Sequence, residues 1–362
     1  MSGTAPRAAD APVHDPVPLP GRVLRAGGSS VRWHPRTWAV CAALLAAAAA
    51  LAVIAMGDGT IALTPAQVLG ALTGAAEDRT VERVVLGIRL PRLVTGLGVG
   101  AALGVAGALF QSLSRNALGS PDLIGLTTGA ATGAVLQIVL GGGTSGPLAV
   151  GAAAVLGGTA TAVVVQALAR TGRSGGGYRM VLVGIGVGAF LQAVSSVLLT
   201  RAELDQALEA EIWLQGSLAG RSWQQAVPVL VVLAVVLPLL PAVRRDADVL
   251  EMGDETAAQL GVVAARARRT QVVLGVALTA VATAAAGPVA FVALAAPQLV
   301  RRLTGATGAH LGPSACLGAA LLLAADLLSR HLPFAWSVPV GLATALLGGL
   351  YLVWLLSRKD PR

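Results

Sequence analysis

The chain is dominated by uninterrupted apolar runs of about 20 residues, the length a helix needs to cross the hydrocarbon of a bilayer. The runs are continuous rather than alternating, which argues against a transmembrane β-barrel, and their Ala, Gly and Leu content suits helices packed through small residues. The expected class is all-α: a polytopic membrane protein with about ten transmembrane helices. Residues 38–356 form the membrane domain, preceded by a polar, proline-rich and arginine-bearing tail (1–37) expected to be disordered, and followed by a short tail at 357–362. The first apolar run exceeds the core of a signal peptide and reads as an uncleaved span. A net charge of +8 is spread between apolar segments, as topology determinants are, so nucleic-acid binding is set aside. Cys41 and Cys316 have no metal-ligand or CxxC spacing.

Hydropathy places spans near 38–56, 93–112, 123–141, 148–168, 180–200, 224–242, 271–287, 289–300, 314–330 and 336–356. The block 271–300 contains AAAGPVAF, where Gly287 and Pro288 break or turn a helix. Two short helices there give ten spans, and one bent helix gives nine. With the amino terminus inside, ten spans put 19 of the 26 basic residues in inner loops and tails, whereas nine leave 15 against 11. The positive-inside rule therefore favours ten, with both termini cytosolic. In that arrangement Arg89 and Arg92 of GIRLPRLVTG, together with Arg330, lie outside, each near the end of a span. The residues alone leave two readings open. These arginines snorkel to lipid headgroups, with Asp326 four residues before Arg330 as a local partner, or they form a cationic rim for an acidic partner.

Some chemistry is absent from the sequence. Lys359 is the only lysine, so no GxxxxGK[ST] phosphate loop exists. His14, His34, His310 and His331 lack zinc-type spacing. Asp326 is the single acidic residue within a span and sits toward its outer end, which disfavours an ion-coupled secondary transporter or exporter, a class that carries ionisable groups near mid-membrane. A path driven from elsewhere fits better.

The second span places Gly100, Gly104, Gly107 and Gln111 on one helical face. The glycines read as close helix packing, while Gln111 either packs or faces a water-filled path. The inner loop RTGRSGGGYRM is a glycine-rich turn containing Gly175, Gly176, Gly177 and Tyr178. The region 249–269 predicts a short cytosolic helix: Gly253, then Asp254 and Glu255 at its N-terminus, Ala257, Ala258 and Leu260 along it, and Gly261 as its stop.

Seven motifs run in order from residue 89 to 341: RLPR, GxxxGxxG leading to Gln111 and RNALGSPDLIG, WLQGSLAGRSW, GDETAAQLGV, GPVAFVALAAPQLVRRLTG, AADLLSR and VPVG. Together they resemble the permeases of iron-siderophore and vitamin B12 ABC importers. FVALAAPQLVRRLT is most similar to the second permease of heterodimeric ferric-siderophore systems of the enterobactin type. The resemblance implies a type II importer fold in the cytoplasmic membrane, with no catalytic residue, metal or cofactor of its own. The implied partners are a second permease, two ATP-binding subunits that use the ATP, and an extracytoplasmic siderophore-binding protein; the implied substrate is a ferric siderophore, with cobalamin or haem as alternatives. It implies that Arg89, Arg92 and Arg330 receive acidic residues of the binding protein. It also implies that Gly253, Asp254, Glu255, Ala257, Ala258, Leu260 and Gly261 form the helix that couples to the ATPase. Gly175, Gly176, Gly177 and Tyr178 match the cytoplasmic gate region, with Gln111 a candidate for the path. Span five, a short outer helix near 203–212 and span ten are implied to line that path. The sequence departs from the family pattern at NALG, where NPLA is common, and at Pro297-Gln298, where PH is usual.

Overall fold

Helices account for most of the described residues, and the long ones follow the apolar runs. The computed structural model describes residues 22–26, 29–76, 78–141, 146–169, 176–331 and 338–357. Strands β1 (Arg22–Ala26) and β2 (Ser29–Trp33) pair antiparallel, Arg22 opposite Trp33, inside the stretch expected to be disordered. Gly27-Gly28 between two short stretches is a two-residue hairpin signal in this segment. Helix α1 (Pro35–Gly57) starts immediately afterwards.

After α1 come α2 (Pro65–Thr73), closed by a Thr64–Gln67 capping box, and α3 (Arg79–Arg83). A π-helical turn at Val84–Arg89 joins α3 to α4 (Leu90–Ser114). Pro91 explains that turn: it lacks an N–H and its ring crowds the carbonyl four residues back, so the backbone widens just before it. A 3-10 turn at Asp122–Ile124 precedes α5 (Leu126–Leu140), followed by α6 (Pro147–Ala169), α7 (Gly176–Arg201) and α8 (Leu204–Leu214). Helix α9 (Trp223–Val236) continues through a 3-10 turn at Leu237–Leu239 into α10 (Leu240–Glu251). Then follow α11 (Asp254–Gln259), α12 (Ala264–Ala286), α13 (Val292–Thr304), α14 (Leu311–His331) and α15 (Val340–Ser357).

Seven segments of the described chain are long and apolar enough to cross a membrane, and Leu126–Leu140 and Val340–Trp354 are shorter apolar helices. The block 271–300 is broken, as the ten-span reading requires. Gly287 and Phe291 both take positive φ, separating α12 from α13. Arg301 near the end of α13 faces Glu251 at the end of α10 (3.9 Å), and Arg36 donates to the Leu303 carbonyl (2.8 Å), so α13 returns to the end of the bundle from which α12 set out. With 13 residues, α13 is about 20 Å long, shorter than the hydrocarbon thickness of a bilayer.

Helix α4 is the axis of the bundle, buried along most of its length and packed by α9, α12, α13 and α14. Its glycines make this possible. A Cβ at Gly100 would lie 2.4 Å from the Gly318 carbonyl, one at Gly104 2.1 Å from that of Ser314, and one at Gly107 1.7 Å from that of Ala293. Backbone therefore meets backbone along this stripe, and Val99, Leu103 and Leu109 fill the flanking core with Leu233, Leu278 and Leu322. Outward faces of α6, α7 and α15 carry exposed leucines such as Leu156, Leu182 and Leu350, the expected surface where the solvent is lipid.

Candidate docking and coupling sites

Antiparallel contact between α4 and α14 sets the geometry of the first site. Their backbones touch at Gly100 and Gly318. Arg92 lies two turns before the one and Asp326 two turns after the other, so the contact brings them face to face. Asp326 is 1 % exposed. It accepts from Arg92 through both oxygens, at 2.7 and 3.2 Å, and from Arg330 Nη2 at 2.5 Å. Arg330 also reaches Asp58 at 3.6 Å, and His331 lies 3.4 Å from the same carboxylate. Arg89 donates to the Met56 carbonyl at 2.5 Å and to that of Ile61.

Three arginines and two aspartates thus gather where α1, the π-turn, α4 and α14 meet. The local Arg330–Asp326 pair expected from the sequence is present, but Arg92, 234 positions away, shares the same carboxylate. Asp58 was not anticipated as a partner; its signal was the lone acid directly after the first span. None of the three arginines is a free cation. Arg92 and Arg330 keep only 24 % and 21 % of their side chains exposed.

The opposite end of the bundle holds α11. Gly253 (φ 114°) and Gly261 (φ 80°) bracket it, conformations that favour glycine. Ala257 is buried against Leu250 and Ala267, seating the helix on α10 and α12. Asp254 is held from two sides, by Arg115 at the end of α4 (2.8 Å) and Arg268 on α12 (2.6 Å), and Arg115 also donates to the Leu250 carbonyl. Glu255, Ala258 and Leu260 face outward. Leu260, at the C-cap, is 56 % exposed and, with exposed Met252 and Val263, makes an apolar tip. The anchoring roles of Arg115 and Arg268 were not read from the sequence; the positive φ of Arg115, in RNALG, is the local feature that turns its chain out of α4.

Beside this tip, the Ala309 amide donates to Asp248 Oδ1 (2.7 Å), and His310 is buried, its Nε2 2.9 Å from the Ala306 carbonyl. Burial pushes the His310 imidazole below its ordinary pKa, an effect opposed by the backbone hydrogen bond.

Gln111 is engaged in helix packing. Its Nε2 donates to the Leu294 carbonyl (3.0 Å) and its Oε1 accepts from Gln298 (3.3 Å), which also donates to the Ala117 carbonyl. The two departures from the family pattern, Ala117 and Gln298, therefore touch each other. Gly176, Gly177 and Tyr178 open α7, and Gly175 lies outside the described residues. Among the described residues no cluster of metal-ligating side chains occurs.

Residues 43–358 match the FecCD transport family. The chain belongs to that family. Within it, the ferric enterobactin transport system permease protein FepG of Escherichia coli is 42% identical over 89% of this chain and 96% of its own length. A probable siderophore transport system permease protein, YfhA of Bacillus subtilis, is 36% identical over 89% of this chain and 95% of its length. The hemin transport system permease protein HmuU of Yersinia pestis is 37% identical over 76% and 83%. A solved structure described as an inward-facing metal-chelate type ABC transporter superposes with a TM-score of 0.76 at 27% identity, over 88% of this chain and 98% of that one. This FecCD member is an all-helical, multi-pass membrane transport permease and not an enzyme.

Proposed function

We propose that this FecCD permease carries a ferric siderophore across the cytoplasmic membrane as one subunit of an ABC importer, with the α11 end in the cytosol and the arginine end outside. The substrate reading rests on relatives named for siderophore systems that match most of the chain; haem is the second reading, supported by the relative named for hemin over a smaller share. Two ATP-binding subunits supply the energy, since the chain lacks a phosphate loop. A second permease completes the path, which α7, α8 and α15 line, and an extracytoplasmic binding protein delivers the chelate.

The observation that carries the reading is the construction of α11. A helix of six residues is not stable alone, yet here its base is clamped by Asp254 and Ala257 while its apolar tip faces outward. That is a knob for a groove in another protein, and motion of the groove passes to α4 and α12 through the clamp. At the far end, Arg92 and Arg330 present their remaining exposed edges to carboxylates of the binding protein, and Asp326 fixes their direction. Transport needs two helix packings close in energy rather than a reactive group. The test is uptake of radiolabelled ferric siderophore by vesicles containing the whole complex. Ferric-siderophore uptake that depends on ATP and on Leu260 supports the proposal, and uptake of haem alone would replace the substrate assignment.

A further inference from the structure

The chain has two cysteines, and the fold brings them together although most of the sequence lies between them. Cys41 lies in the second turn of α1 and Cys316 in the second turn of α14. Both helices run from the α11 end to the arginine end. Arg36, at the start of α1, donates to the Leu303 carbonyl, and Asp58, just past its end, meets Arg330 and His331. The two helices therefore lie side by side and parallel, with positions at matching heights in contact: Leu44 clusters with Leu317 and Leu321, and Ala55 with Leu323 and Leu327. The same alignment sets Cys41 beside Cys316, and their thiols hydrogen-bond to each other. Neither is in a disulfide, and both are partly exposed. Trp38 and Leu45, a turn to either side of Cys41, are exposed, so the sulfur pair sits at the rim of the helix contact, open to a small solute.

We propose that Cys41 and Cys316 form a reversible oxidation site, at which a peroxide converts the two thiols into a disulfide that staples α1 to α14. One sulfur attacks an oxygen of hydrogen peroxide; the O–O bond breaks, a sulfenic acid forms and water leaves. The second sulfur then attacks the first, the S–S bond forms, and the sulfenic oxygen departs as a second water. Two thiols and one peroxide thus give one disulfide and two waters: the sulfurs lose two electrons to the peroxide oxygens, and both thiol protons end in water. A cysteine without such a partner continues to sulfinic and sulfonic acids, which simple thiols do not reduce. The pair therefore keeps oxidation recoverable. It also adds a covalent tie where α1 is held by the Arg36 hydrogen bond, while Asp58 holds the other end. A cross-link between positions so far apart in sequence restricts the unfolded chain and raises stability.

The test treats membrane vesicles containing the full chain with hydrogen peroxide, blocks remaining thiols with N-ethylmaleimide and reads the peptides by mass spectrometry. The expected product is a linked Cys41–Cys316 peptide within one chain, reversed by dithiothreitol, with the unfolding temperature of the linked chain raised. In Cys41→Ser the link is absent, and sulfinic acid at Cys316 rises roughly tenfold over the native chain. The proposal is overturned if no link forms at a peroxide dose that oxidises glutathione added to the same vesicles, or if the link joins two copies of the chain. Equal sulfinic acid in the native chain and Cys41→Ser, or an unfolding temperature that the link leaves unchanged, refutes it as well. Should the variant fail to fold, phenylarsine oxide, which bridges two adjacent thiols, is titrated onto the native chain. One equivalent that shields both cysteines from the maleimide supports the pair, and shielding of neither or of only one refutes it.

Discussion

The two ends of this bundle handle charge in opposite ways. At the arginine end, cations and carboxylates close on one another: Asp326 is buried beneath two guanidinium groups, and Arg89 is tied to backbone carbonyls. At the α11 end, the ion pairs around Asp254 are half exposed, hold only the base of the helix, and leave an apolar tip in solvent. The first arrangement fixes direction and gives little area, so the docking proposed there would be weak, adjustable and salt-sensitive. The second gives hydrophobic area on a clamped support, which suits the coupling role proposed for it.

The sharpest way to break the comparison is Leu260→Asp. A charge forced into an apolar groove is costly, so ATP-driven uptake should fall at least tenfold while membrane insertion and binding-protein affinity stay as in the native chain. Normal uptake by this variant would deny the tip its role.

Next in size is Asp326→Ala. Removing the buried partner leaves Arg92 without its carboxylate and Arg330 with Asp58 alone, and loss of one member of a buried pair costs roughly 3–5 kcal/mol. Thermal unfolding in nanodiscs should shift down clearly, and Asp326→Asn should recover only part of the loss. An unchanged transition would mean that the cluster is a surface pair. The cluster also shows why charge reversal at Arg89 and Arg92 is a poor probe of docking: Glu at position 92 would face Asp326 and damage the fold first. Docking is better tested by neutralising carboxylates on the binding protein, where each rim pair should contribute on the order of 1 kcal/mol and fade at high salt.

Asp254→Ala comes third. Its pairs are about half exposed, so stability should change by about 1 kcal/mol or less. Coupling should suffer more than stability: ATP hydrolysis by the assembled complex continues while uptake per ATP drops several-fold. If hydrolysis and uptake fall together, the clamp matters for assembly instead.

The smallest effect concerns His310. Its folded pKa lies below the ordinary 6.5, so the unfolded chain binds a proton first as pH falls. The stability this contributes is present above about pH 6.5 and is lost as acidity carries the solution down toward the folded value. The unfolding temperature should therefore drop between pH 7.5 and 5.5, and His310→Gln should flatten that dependence. An equal drop in the variant would assign the effect to other groups.

Much of this architecture was legible in the sequence because a membrane demands long apolar segments, and those are local features. All ten expected segments correspond to observed helices, and the Gly287-Pro288 break falls where turn chemistry placed it. The short helix at 254–259 followed from its acidic start and glycine stop. Pairings across the chain were not legible in the same way. Arg92 meets Asp326 because of a glycine register between α4 and α14, a fact of three-dimensional packing that no local pattern carries. Gln111 was ambiguous for the same reason, since whether a buried amide faces a path or a neighbour depends on what lies opposite. Helices α2 and α3 and the hairpin at 22–33 went unread because hydropathy is silent on short amphipathic or polar elements.

Helix α4 carries Arg92 in its first turn and ends at Arg115, so a single rod about 37 Å long joins the carboxylate cluster at one face of the membrane to the clamp of α11 at the other. Interlocked backbones at Gly100, Gly104 and Gly107 keep that rod from sliding past its neighbours. In the importer proposed here, an ATPase that displaces α11 would tilt the surface offered to the binding protein. By thermodynamic reciprocity, whatever factor nucleotide imposes on binding-protein affinity in that assembly, the binding protein imposes on nucleotide affinity across the bilayer.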